Sequence, residues 1–84
     1  MHVELDNTAK KQLSRLNEPY ISRIATALLR LRNEPPQGDI KKLQGQDGYR
    51  LAVGDYRVIF DIDKDNNQID VTKIAPRGDV YKEN

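Results

Sequence analysis

The 84 residues carry 14 Lys and Arg against 13 Asp and Glu, so overall charge does not mark a nucleic-acid binder and only a local basic cluster can do so. The lack of cysteine excludes a disulfide scaffold, thiolate metal sites and a cysteine nucleophile, and suits a reducing cytoplasm. The single histidine, His2, reads as an exposed strand-end residue, so any enzymatic proton transfer falls to other side chains. No apolar run is long enough to cross a membrane, the N-terminus lacks the apolar stretch of a signal peptide, and the length fits one domain over residues 1–84.

In chain order, Val3 and Leu5 alternate with His2 and Glu4, which predicts a short strand over His2–Leu5. Asp6, Asn7 and Thr8 are good helix N-caps, and Ala9, Leu13 and Leu16 recur at helical spacing, which predicts a first helix over 7–16. Asn17, Glu18 and Pro19 break and restart the chain, since a first helical turn tolerates proline. Ile21, Ile24, Ala25, Leu28 and Leu31 then form the apolar stripe of a second helix over 18–33, with Arg23, Arg30 and Arg32 mostly off it. Pro35, Pro36 and Gly38 end that helix, and Ile40 to Gly48 reads as a polar loop anchored by Leu43. Beyond it the period is that of strands: Tyr49, Leu51 and Val53 alternate with Arg50 and Ala52, and Tyr56, Val58, Phe60 and Ile62 with Arg57, Ile59 and Asp61. Gly54-Asp55 between them suits a type II′ hairpin, with glycine at the first central position. Asp63 to Asn67 is a polar turn, and a last strand begins at Ile69 and Val71 and runs to about Ala75, before Pro76 and Gly78. The order predicts an α+β fold: an N-terminal strand, a helical hairpin, then a three-stranded antiparallel meander, with the helices packed on one face of the sheet.

A turn at Gly54-Asp55 fixes a register in which Val53 faces Tyr56, Ala52 faces Arg57, Leu51 faces Val58 and Arg50 faces Ile59. Leu51, Val53, Tyr56, Val58 and Phe60 then share the covered face, and Arg50, Ala52, Arg57 and Ile59 share the open one. Two arginines at a diagonal repel each other unless an anion joins them, although solvation or pairing with Asp61 or Asp70 also accounts for them. Arg77 and Tyr81, past the bend at Pro76 and Gly78, are placed to reach the same face. Three arginines and a tyrosine suit phosphate or RNA, because arginine offers forked donors and a tyrosine ring stacks on bases. Lys41 and Lys42 either extend that basic rim or belong to a solvated loop. The chain has no Gly-rich phosphate loop and no Ser-His-Asp set, and Asp61, Asp63 and Asp65 lack the glycine and glutamate of a calcium loop, so neither cofactor nor metal is expected.

Three phrases then fall in a familiar order: Lys42-Leu43-Gln44-Gly45, Gly54-Asp55-Tyr56-Arg57-Val58-Ile59-Phe60 and Arg77-Gly78-Asp79-Val80-Tyr81. They resemble the RelE/ParE toxin superfamily over nearly the whole chain. The resemblance implies a cytoplasmic toxin of a type II toxin–antitoxin pair with a RelE-like microbial RNase fold. In the RelE-like branch it implies a ribosome-dependent endoribonuclease, an mRNA interferase that inhibits translation by cutting messenger RNA in the ribosomal A site. There the 2′-hydroxyl attacks the adjacent phosphate, which calls for a base, cations on the crowded phosphate and an acid for the leaving oxygen. By motif, Arg57 would stabilise the phosphate, Arg50 would match the first basic residue of the preceding strand, and Arg77 and Tyr81 the terminal phrase, with Tyr81 stacking or donating a proton. Lys41, Lys42, Lys73 and Lys82 would contact RNA and ribosome. The implied protein partner is a cognate antitoxin whose acidic tail lies along helices carrying Lys10, Lys11, Arg15, Arg23, Arg30 and Arg32. On the same scaffold the alternative is a ParE-like inhibitor of DNA gyrase without nuclease activity. One departure bears on this choice. Many relatives carry a second basic residue two places after Arg50, where this chain has Ala52, which implies a natural variant of weakened or altered activity or a detoxifying replacement.

Overall fold

The alternating apolar residues of the second half need a cover, and the two amphipathic helices of the first half supply it. The computed structural model describes residues 1–80 and runs β1 (His2–Leu5), α1 (Asn7–Ser14), α2 (Tyr20–Arg30), β2 (Asp39–Lys42), β3 (Tyr49–Val53), β4 (Tyr56–Asp63) and β5 (Gln68–Pro76). Both helices are shorter than their periodicity predicts, because each closes in a tight turn before its apolar stripe ends. Leu16 and Leu31 stay in or against the core from those turns. Asp6 starts α1 as an N-cap, accepting from the Ala9 N–H at 2.8 Å.

The strands form one sheet in the order β1-β5-β4-β3-β2, with every neighbouring pair antiparallel except β1 with β5. The meander therefore has four strands rather than three. The stretch read as a polar loop begins with the edge strand β2, where Asp39 pairs with Ala52, Ile40 with Leu51 and Lys41 with Arg50. A short, charged edge strand leaves almost no apolar alternation to read, and the same charges deter another chain from adding to the edge. The β3–β4 register is the one expected, and the turn agrees: Gly54 has φ +56° while Asp55 stays out of the left-handed region, as a type II′ turn requires.

The core lies between sheet and helices: Leu51, Val58, Phe60, Ile69, Val71 and Ile74 from the sheet meet Ala9, Ile24, Leu28 and Leu31. Ala25, expected in the stripe, is exposed, and Ala27 packs against the core in its place. At the start of α2 the Tyr20 ring lies 5.0 Å from that of Tyr56, which ties the helix to the β3–β4 hairpin. On β5 the apolar phase slips, with Val71 and Ile74 both buried three positions apart. The slip is a bulge: Ile59 pairs with Lys73 and Phe60 with Val71, so Thr72 has no partner on β4. The Ile74 N–H beyond the bulge donates to Gln12 Oε1 of α1 at 2.6 Å, which satisfies a backbone group that β1 is too short to reach. Among the described residues no helix is long and apolar enough to cross a membrane.

Candidate nucleic-acid interface

The face of the sheet turned away from the helices reads as rows of side chains running across the strands. Nearest the β3–β4 turn lies Asp39–Ala52–Arg57–Ala75, and next to it Lys41–Arg50–Ile59–Lys73. The face thus gathers Lys41, Arg50, Arg57 and Lys73, which come from four different strands. The bulge contributes to this, because it is what sets Lys73 opposite Ile59.

Each arginine of the hairpin is anchored by neutral or single contacts that preserve its charge. One nitrogen of Arg57, Nη1, donates to the Gly54 and Tyr56 carbonyl oxygens, both at 2.8 Å, so the guanidinium is folded back onto the turn. Arg50 Nη1 donates to the Asp39 carbonyl oxygen at 3.3 Å and lies 3.6 Å from the Asp39 carboxylate. The Arg50 side chain is 17% exposed and that of Asp39 is 64% exposed, so the pair sits at the rim with its carboxylate in water. Neither arginine pairs with Asp61 or Asp70, the partners that composition suggested. Arg77 stands at the same end of the sheet, where its backbone N–H donates to the Asp55 carbonyl oxygen at 2.7 Å. Val80, 3% exposed, then draws the chain back onto the body. Tyr81 and Lys82 lie outside the described residues.

Lys42 takes the other parity from Lys41, opposite Tyr49, yet both lysines line a recess of about 440 Å³ with Leu43, Gln44, Gln46 and Arg50. This recess adjoins the cationic row at its β2 end. Asp39 is the residue that sequence reading missed: between the helix stop at Gly38 and the loop read from Ile40 it had no assigned face, whereas in β2 it stands opposite Ala52 and holds Arg50. Among the described residues no group of His, Cys, Asp and Glu is arranged to hold a metal ion. His2 lies at the far corner, opposite Gln68, and bonds Glu4 at 2.8 Å, which holds the Glu4 carboxyl below the usual carboxylate range.

A model of the ParE toxin of type II toxin–antitoxin systems, parDE, matches residues 3–81. The chain belongs to this toxin family. Among solved structures, the RelE–RelB complex from the archaeon Pyrococcus horikoshii is 30% identical to this toxin, with a TM-score of 0.78 over 94% of this chain and 97% of that one. The isolated Escherichia coli RelE toxin shares the fold at 18% identity, with a TM-score of 0.76 over 89% of this chain and 82% of that one. A YoeB/ParE toxin from Agrobacterium tumefaciens does so at 13% identity, with a TM-score of 0.72 over 90% and 98%. No curated protein sequence matches the chain. The family and the fold are thus those that the three phrases implied, and both RelE-type and ParE-type toxins stand among the relatives.

Proposed function

We propose that this toxin is a ribosome-dependent messenger-RNA endoribonuclease of the RelE type, held inactive by a cognate antitoxin. The observation that supports this reading is the placement of Arg50 and Arg57 on the sheet face turned away from the helices, with the Arg77 backbone at the same end and no ion pair to Arg57 among the described residues. Guanidinium groups in that array suit a phosphate that gains charge as the 2′-hydroxyl attacks it. Arg50 and Arg57 stabilise the phosphate, Arg77 meets the scissile strand from the turn, and Tyr81 stacks on a base or protonates the leaving oxygen. No histidine lies at this end, so the ribosome completes the acid–base work. Cleavage in a translation extract, mapped by primer extension with this chain and with Ala52→Arg, tests the reading. At least one of the two is expected to cut within the A-site codon, and failure of both with excess ribosomes would refute it. The ParE match favours a second reading, inhibition of DNA gyrase. A supercoiling assay separates the two, since gyrase inhibition without RNA cleavage reverses the ranking.

The antitoxin contact follows from the helices. Several structural relatives were crystallised with a RelB antitoxin. On this toxin α2 is flanked by two clefts. One, of about 340 Å³, is lined by Val3, Leu5, Leu28 and Leu29 with Arg32 beside them; the other, of about 310 Å³, by Ala27, Leu51 and Val53 with Arg23, Arg30 and a single acidic residue, Asp39, at its edge. Apolar floors edged by arginine suit an acidic amphipathic segment. Leu29 is 60% exposed, so Leu29→Glu is expected to leave the melting temperature within about 2 °C while weakening antitoxin capture about tenfold or more, as loss of an interface anchor does. Unchanged affinity, measured by calorimetry against the product of the neighbouring open reading frame, would place the antitoxin elsewhere.

A further inference from the structure

The open face is electrically divided. Beyond the Thr72 bulge the row Lys41–Arg50–Ile59–Lys73 gives way to Asp61–Asp70–Glu4, followed by Asp63–Gln68–His2. Asp61 is paired directly with Asp70, and Asp70 directly with Glu4, so carboxylates face carboxylates across three strands. Like charges so placed destabilise a sheet. The ion pairs among the described residues leave Asp61 and Asp70 out; the contacts to the acidic rows are from Gln68 to Asp70, His2 to Glu4 and Asn66 to Asp63. The Asn66 amide, helped by its backbone N–H, holds the Asp63 carboxyl below the usual range. A fold that tolerates this repulsion keeps a negative field within two residues of the row Lys41–Arg50–Ile59–Lys73, about 7 Å along β4.

We propose that single-stranded RNA crosses this face perpendicular to the strands, along the cationic row Lys41–Arg50–Ile59–Lys73 with Arg57 beside it, and is kept there by the carboxylate rows beyond the Thr72 bulge. This rests on the ribonuclease reading and adds the direction of the substrate to it. Across the strands, Lys41 to Lys73 covers three interstrand steps, about 14 Å, which exceeds the spacing of neighbouring phosphates in a nucleic-acid strand. Along the strands, away from the β3–β4 turn, an RNA backbone leaving the Arg50–Ile59 row meets Asp61 and Asp70 in the next row of the same face. The bulge serves both sides of the boundary: its extra residue separates Asp70 from Lys73 on β5 by one position more than Asp61 from Ile59 on β4, and re-aims the lysine.

The test uses the full chain and a short single-stranded RNA, with binding measured at low and high salt. Asp61→Asn with Asp70→Asn is expected to tighten binding about two- to fivefold at low salt, an advantage that shrinks as screening grows. Lys41→Gln and Arg50→Gln are expected to weaken it. RNAs with one neutral methylphosphonate linkage at successive positions then report direction. Lys41→Gln and Lys73→Gln are expected to abolish sensitivity at separate linkages, with the Arg50 linkage between them. If the cation variants weaken binding but the asparagine variant does not tighten it, or if Lys41 and Lys73 act on the same linkage, the crossing path is wrong. If the toxin does not bind RNA at low salt, or no cation variant changes binding, the ribonuclease reading of the face fails instead. Melting curves check that each variant is folded, and the asparagine pair, which removes facing charges, is expected to melt no lower than the parent.

Discussion

Arg57→Gln is expected to slow the proposed A-site cleavage about 10²- to 10³-fold, the usual cost of removing one preorganised donor from a charge-developing oxygen. Arg57 is half-buried, and two neutral carbonyl oxygens hold its Nη1, so the side chain is fixed without being neutralised. A guanidinium has five N–H donors, and those not committed to the turn remain for the phosphate. Glutamine keeps much of the length and polarity but removes the charge. Arg57→Lys restores charge without the fork, so it cannot bind both turn carbonyls and a phosphate in the same geometry, and it is expected to recover only part of the rate. Single-turnover cleavage on programmed ribosomes gives the measurement. A parental rate in Arg57→Gln, with folding intact, would remove Arg57 from the chemistry.

Phe60→Ala is expected to be the most damaging single change to stability. Phe60 is fully buried at the centre of β4, stacked on Tyr49 with ring centroids 5.6 Å apart, and it pairs with Val71 beside the bulge. Truncating a buried phenylalanine costs about 3–5 kcal/mol, against a total of about 5–15 kcal/mol for a domain, with small domains at the low end. At about 4–8 °C per kcal/mol for a chain of this size, melting is expected to fall by at least about 12 °C. Urea denaturation with an unchanged slope would confirm a loss of stability rather than of cooperativity. A loss below about 1 kcal/mol would mean that neighbouring side chains close the cavity.

The residues that revealed the fold were those in which local chemistry and tertiary packing agree. Gly54-Asp55 fixed the hairpin because its turn requires glycine, and the register of Arg50 and Arg57 followed from it. Strand β2 was hidden because Asp39, Lys41 and Lys42 are charged and Ile40 alone carries the alternation. The partner of Arg50 was hidden with it, since Asp39 joins the site only through pairing with Ala52. The bulge did leave a trace, the slip from Val71 to Ile74 in place of Lys73, and it decides on which face Lys73 stands. Ala25 and Ala27 were interchangeable to the eye because alanine contributes little to a helical stripe, and only the crossing of α2 over the sheet chooses between them.

The parallel pairing of β1 with β5 also sets when a newborn toxin can be finished. His2 and Leu5 meet partners at Gln68 and Val71, so the first strand made waits for the last one. Ribosomes add about 5–20 residues per second, and contacts so far apart in sequence close late. Until then Val3 and Leu5 have no strand to cover them, and the Asp6 N–H lacks its acceptor, the Val71 carbonyl. The hairpin with Arg50 and Arg57 forms from neighbouring residues, but the sheet that flattens it into a working surface is complete only when β5 has left the exit tunnel. The cationic surface of this toxin is thereby assembled only after the last strand of its sheet has been made.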